Sequence, residues 1–148
     1  MPIETRLRAD LAPIVVALPT EDRQRSFDFY AEGLGVEPIG EAAEDGIPEP
    51  LQFVLNQGVR LMLIPTGGFG WVTGKRPTAG PEASECLLAL AVADERSVNE
   101  LVERARGAGA QIVLEPTQQP WGYSAAFTDP DGHVWQVMPV GAQPIFTE

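Results

Sequence analysis

A chain of 148 residues with 44% hydrophobic content is sized for one domain with a substantial core. Its formal net charge of −11 opposes approach to nucleic acid and to anionic membrane surfaces, serves solubility, and permits cationic small molecules. Pro, Gly or charge interrupts every apolar run well short of a bilayer span, and Met1–Asp10 lacks the apolar stretch of a signal peptide, so the expected location is cytoplasmic. The single cysteine, Cys86, closes no internal disulfide and is expected as a buried, apolar-type residue at a strand start.

In chain order, a strand pattern at Pro13–Leu18 ends in Pro19-Thr20-Glu21-Asp22. Phe27, Tyr30 and Leu34 then recur at roughly helical spacing until Gly33 and Gly35 stop the helix, and Thr20 or Asp22 is placed to cap its first turn. Short strands are predicted over Val36–Ala42, Gln52–Leu55 and Arg60–Ile64, with Glu44–Pro50 and Gln57-Gly58 as the turns between them. The second half repeats this order. Cys86–Val92 reads as a strand, and Asp94 precedes a helix with Val98, Leu101, Val102 and Ala105 on one face, ended by Gly107 and Gly109. Strands follow at Gln111–Leu114, Tyr123–Thr128 and His133–Val140, the last two joined by the turn Asp129-Pro130-Asp131-Gly132.

Val15 and Leu87 lie 72 positions apart, as do Asp22 and Asp94. The chain is therefore strand–helix–strand–strand–strand twice, a duplication that makes one domain. Module one covers about 12–65 and module two about 85–140, with a Gly-, Pro- and Thr-rich connector over 66–84 and a short C-terminal tail. Either half alone is too small to bury its sheet well.

The segment Asp22-Arg23-Gln24-Arg25-Ser26-Phe27-Asp28-Phe29-Tyr30, followed by Gly33-Leu34-Gly35, resembles the first helix of glyoxalase, bleomycin-resistance and extradiol-dioxygenase proteins, the vicinal oxygen chelate superfamily. Pro120-Trp121-Gly122-Tyr123, Phe127, Asp129-Pro130-Asp131-Gly132-His133 and Trp135 resemble the closing hairpin of the same superfamily. The resemblance implies an α+β fold: two βαβββ modules in tandem, forming an eight-stranded, open, cup-like half-barrel with helices outside and a ligand in the concave face. It also implies that the metal-dependent members' ligand positions fall on Val15, Met62, Leu87 and Gln136. Those residues do not suit the task. Val15 and Leu87 donate nothing, Met62 is a soft thioether, and Gln136 offers one neutral carbonyl oxygen. No metal and no cofactor are expected there.

Other chemistry is equally sparse. His133 is the only histidine, and Asp129 and Asp131 sit in a turn where carboxylates normally bond their own backbone. One His and one Cys far apart in sequence give no readable nucleophile and base. Thr66-Gly67-Gly68-Phe69-Gly70 lacks the Lys-Ser/Thr signature of a phosphate loop and a following helix, and reads as flexible connector.

Side chains alternate along strands, so Ala17, Arg60, Ile64, Ala89, Ala91, Val134 and Met138 should share the cup face with the four ligand positions. Val16, Leu18, Leu61, Leu63, Leu88, Leu90 and Trp135 should pack beneath the helices. Small residues and two methionines leave room for an apolar or aromatic molecule, and Phe69, Trp71, Trp121 and Tyr123 are candidates for its wall or lid. Arg60, the only charge on that face, either pairs with a carboxylate, reaches to the mouth, or anchors an anionic ligand.

The expected function is a metal-free small-molecule binding protein of the glyoxalase/bleomycin-resistance type, sequestering an apolar, aromatic or cationic compound. The alternatives are a glyoxalase-like lyase or isomerase, or a dioxygenase-related enzyme, acting without the usual four metal ligands; a structural or regulatory module with a vestigial cup is a further one. Exposed sheet edges and the cup rim point to a homodimer.

Overall fold

The computed structural model describes residues 10–141. The segment 1–9 and the tail 142–148, which enter the targeting and tail expectations above, lie outside the described residues. Module one contains β1 (Ile14–Thr20), α1 (Arg23–Phe27) running on into a π-helical turn (Asp28–Gly33), β2 (Glu37–Ile39), β3 (Leu51–Asn56) and β4 (Val59–Pro65). After α2 (Thr66–Val72), module two contains β5 (Leu87–Val92), α3 (Glu95–Gly107), β6 (Ile112–Gln119), β7 (Gly122–Thr128) and β8 (Val134–Pro139). Two four-stranded mixed sheets result, in the orders β1-β4-β3-β2 and β5-β8-β7-β6. In each, only the pair joined through the helix is parallel, as the crossover connection requires. These are tandem βαβββ modules forming an open α+β half-barrel fold.

The helix caps follow the sequence. Asp22, not Thr20, accepts the Arg25 backbone N–H, and Asp94 does the same for Ser97 in module two. Thr20 instead hydrogen-bonds the Ser26 hydroxyl beneath the first turn. The amphipathic reading of α3 also holds, with Val98, Val102 and Ala105 buried. Three elements depart from expectation. β6 runs on to Gln119, past Pro116, because it is an edge strand whose register shifts twice against β7. β2 is only three residues long, ending at Gly40 with φ +95°. Thr66–Val72, read as flexible connector, coils into α2 and packs on β1 and β4.

Helical spacing selects Tyr30 but says nothing of its neighbour, because adjacent helical residues point about 100° apart. The π-helical turn changes that. Leu34 donates its N–H to the Phe29 carbonyl, five residues back, and both Phe29 and Tyr30 become fully buried. Tyr30 packs against Phe53 of its own sheet and Trp135 of the other, at 5.4 and 6.0 Å between ring centroids. Phe29 reaches Phe127 of module two at 6.4 Å. A single apolar core therefore serves both modules, and the residues expected beneath the helices, Leu18, Leu61, Leu63 and Trp135, are all in it.

Polar bonds complete the seam. The Tyr30 hydroxyl donates to Asp129 Oδ2 at 2.6 Å and accepts from the Trp135 indole N–H at 3.0 Å. The other Asp129 oxygen accepts the backbone N–H groups of Asp131 and His133. Burial raises the Asp129 pKa, and burial followed by the Asp129 charge raises that of Tyr30 well above its usual value. The turn itself needs Gly132: at φ +91°, a Cβ there would lie 2.2 Å from the Pro81 carbonyl oxygen of the connector crossing it.

Cys86 corrects the sequence expectation. It precedes β5 and is exposed, because the edge strand β5 is open along its length and residues 80–87 are uncovered.

Because its folded pKa is raised, Asp129 subtracts stability as pH rises from the unfolded carboxylate range through the folded value. The Tyr30 hydrogen bond opposes that loss by favouring the ionised form. Tyr30→Phe is therefore expected to cost about 1–3 kcal/mol at neutral pH, with a smaller cost below the carboxylate range, in urea denaturation at the two pH values.

Candidate functional site

Strand register fixes which residues share the open face of each sheet. In module one, Val15 pairs with Arg60 and Ala17 with Met62. In module two, Leu87 pairs with Val134 and Ala89 with Gln136, followed by Ala91 with Met138. The two modules thus superpose position by position, Met62 corresponding to Gln136 and Arg60 to Val134. On these faces Val15 (45%), Leu87 (50%), Ala89 and Ala91 are exposed, whereas Met138 is buried.

Sequence reasoning placed only the helix-flanking strands on this face. Register adds Gln52 and Val54 of β3, opposite Met62 and Arg60, and Ala126 of β7, opposite Gln136. The period-two pattern of β3 and β7 carried that signal in the sequence.

Residues of the first helix pack against both sheets: Tyr30 touches Phe53 and Trp135, and Phe29 touches Phe127. Val15, Ala17, Arg60, Met62 and Ile64 share one face of the first sheet, and Leu87, Ala89, Gln136 and Met138 share the equivalent face of the second, where Met138 is buried.

The aromatic candidates scatter. Trp71 on α2 is 83% exposed, whereas Phe69 is half-buried. The Trp121 indole N–H donates to Ser124 Oγ at 3.1 Å. Tyr123 shares strand parity with Phe127, packs with the helix-side core, and donates its hydroxyl to Asn99 of α3 at 2.6 Å. It faces away from the open surface, so no single aromatic wall joins all four.

Val15, Met62, Leu87 and Gln136, the positions to which the family resemblance points, offer one neutral oxygen and one thioether, a set that does not fit a divalent cation. The carboxylates of the β7–β8 turn are engaged by the protein itself: Asp131 accepts from the Glu21 N–H, Arg25 and Ser26. Among the described residues no group of three or more His, Cys, Asp or Glu side chains is placed to hold a metal. Gln136 has a different peculiarity. Its Oε1 is buried and receives no hydrogen bond.

Tertiary structure also unites the lone Cys and His. Cys86 and His133 line one cavity of about 200 Å³, together with Leu18, Phe69, Leu88 and Val134. The His133 Nε2–H donates to the Pro19 carbonyl oxygen at 2.7 Å, tying β1 to the start of β8. No motif spacing could have shown this proximity, since 47 positions separate the two residues.

The family model of the Glyoxalase/Bleomycin resistance protein/Dioxygenase superfamily matches residues 13–137. A glyoxalase-related enzyme from Fulvimarina pelagi is 28% identical, with 93% of this chain and 98% of that one covered and a TM-score of 0.74. Hypothetical protein SA1046 from S. aureus is 25% identical, covering 87% and 93% of the two chains at a TM-score of 0.73. Protein ATC0852 from Agrobacterium tumefaciens is 26% identical, covering 86% and 95% at 0.65. No curated protein sequence matches. The chain belongs to the glyoxalase/bleomycin resistance/dioxygenase superfamily.

Gln136→Glu alone is expected to give no stoichiometric binding of zinc or nickel in calorimetric titration. A tight site from that one change would show that the four ligand positions are misplaced. Cys86, being exposed, should react with one equivalent of a thiol-specific disulfide reagent without denaturant.

Proposed function

We propose that this member of the superfamily is a metal-free binding protein for an apolar or aromatic small molecule, acting as a homodimer. The observation that carries the reading is the face of each sheet turned away from the shared core, with Val15 and Val54 exposed on one, Leu87 and Ala89 exposed on the other, and no metal-ligand set among the described residues. Exposed apolar residues of this kind are a liability for a lone chain and an asset in an assembly. A two-fold arrangement sets module one of one copy against module two of the other and makes two equivalent cups. Each cup would combine Val15, Arg60 and Met62 of one chain with Leu87, Gln136 and Met138 of the partner subunit. The matching register of the two modules supports such a closure, because one half then completes the other as its own duplicate would.

Membership of the superfamily supports small-molecule binding in general. Among the described residues no helix is long and apolar enough to cross a membrane. The net charge of −11 disfavours a nucleic-acid partner. A second reading, an enzyme working without the usual metal set, draws on the 28% identity to the Fulvimarina pelagi glyoxalase-related enzyme.

A native mass spectrum of gently purified protein, without added metal or chelator, tests the proposal. The expected species is a metal-free dimer carrying an organic adduct. One divalent metal per chain would overturn the metal-free reading, and a monomer at micromolar concentration would overturn the shared cup. Val15→Asp is expected to weaken dimerisation at least about tenfold in analytical ultracentrifugation, since it sets a charge in the apolar interface.

A further inference from the structure

We infer that the ligand of this cup carries an anionic group held by Arg60 and a hydrogen-bond donor received by Gln136 Oε1, on an apolar body. The inference rests on the binding reading above and narrows its ligand.

Arg60 is half-buried on β4, and its register partners on either side are Val15 and Val54. No carboxylate among the described residues pairs with it. Arg23, Arg25, Arg96 and Arg106 each have an acidic partner. Lys75, Arg76 and Arg104, like Arg60, have no ion pair among the described residues, but they lie outside the strands. The nearest acid by register is Glu37, which pairs with Val54 from β2 and is exposed without reaching Arg60. A guanidinium between two valines is only partly hydrated, and its planar fork matches a carboxylate, sulfonate or phosphate.

Gln136 supplies the complementary requirement. Its Oε1 is buried without a donor, an arrangement that is costly unless something donates to it. Its strand neighbours on both sides are the small residues Ala89 and Ala126, neither of which can donate from its side chain. Arg60 and Met62 sit two residues apart on one face, and Gln136 occupies the Met62 position of the other module. A cup made from module one of one chain and module two of its partner would bring Arg60 and Gln136 of the partner subunit to one surface, with Met62 and Leu87 of the two modules to receive the apolar part. The net charge of −11 acts at long range and slows the encounter of an anion. Selection within the cup is a matter of the local charge, and the local charge is positive.

The test uses the full chain and two dyes. 8-Anilinonaphthalene-1-sulfonate has a sulfonate, an N–H and an aromatic body; Nile red is apolar and uncharged. In fluorescence titration, the wild type is expected to bind both. Arg60→Met should weaken the sulfonate dye at least tenfold and leave Nile red within twofold, and Arg60→Lys should recover part of the loss. Gln136→Leu should weaken the sulfonate dye several-fold. Arg60→Gln serves as a second neutral variant, with circular dichroism melts showing that each variant is folded. Equal sulfonate-dye affinity in the wild type and a folded Arg60→Met or Arg60→Gln overturns the inference, as does a wild type that binds Nile red alone. A wild type that binds neither dye fails the cup itself rather than its charge preference.

Discussion

The Tyr30 hydroxyl, bonded to a module-two carboxylate and a module-two indole, is the contact on which the arrangement of the molecule depends. It is buried, so neither oxygen nor nitrogen has water as an alternative partner, and each must find the other. Because Asp129 also gathers two N–H groups of its own turn, the same carboxylate shapes the β7–β8 hairpin and fastens it to the helical turn of module one. Two half-domains, each too small to stand alone, are thereby made into one.

That fastening has a geometric consequence for function. Packing the helix-side residues of both sheets into one core commits the large aliphatic and aromatic residues there and leaves mostly smaller ones on the other faces. The surface that a ligand would meet is thus decided by a contact remote from it. In the proposed dimer, Val15 and Met62 of one chain and the equivalent face of the partner subunit complete one cup. Arg60, without a carboxylate, and Gln136 Oε1, without a donor, are the polar groups of that surface left unanswered among the described residues.

Much of the fold was legible because the duplication is written in periods that strands and helices impose. The offset between Val15 and Leu87 reappears as equivalent register in two sheets. Asp22 and Asp94 cap their helices as short acidic side chains do, and Asp129-Pro130-Asp131-Gly132 turns where Gly allows it. The misses have equally local causes. Pro116 hid the length of β6, since an edge strand tolerates a proline that an inner strand would not. Phe29 escaped helical counting because a π-helical turn moved it inward. Cys86 was read as buried from its residue type, but an edge strand leaves its start exposed. Tyr123 was assigned to the wall of the cup, while its parity with Phe127 sends it to α3.

By itself the sequence determined the two βαβββ modules and which residues of the helix-flanking strands share a face, because alternation is a property of single strands. Tertiary structure alone decided that one core serves both sheets, that Cys86 and His133 share a cavity, and that Arg60 and Gln136 Oε1 lack partners among the described residues. Those facts depend on contacts between residues distant in sequence, where the packing of Phe29, Tyr30, Phe127 and Trp135 selects one arrangement and no local period encodes it.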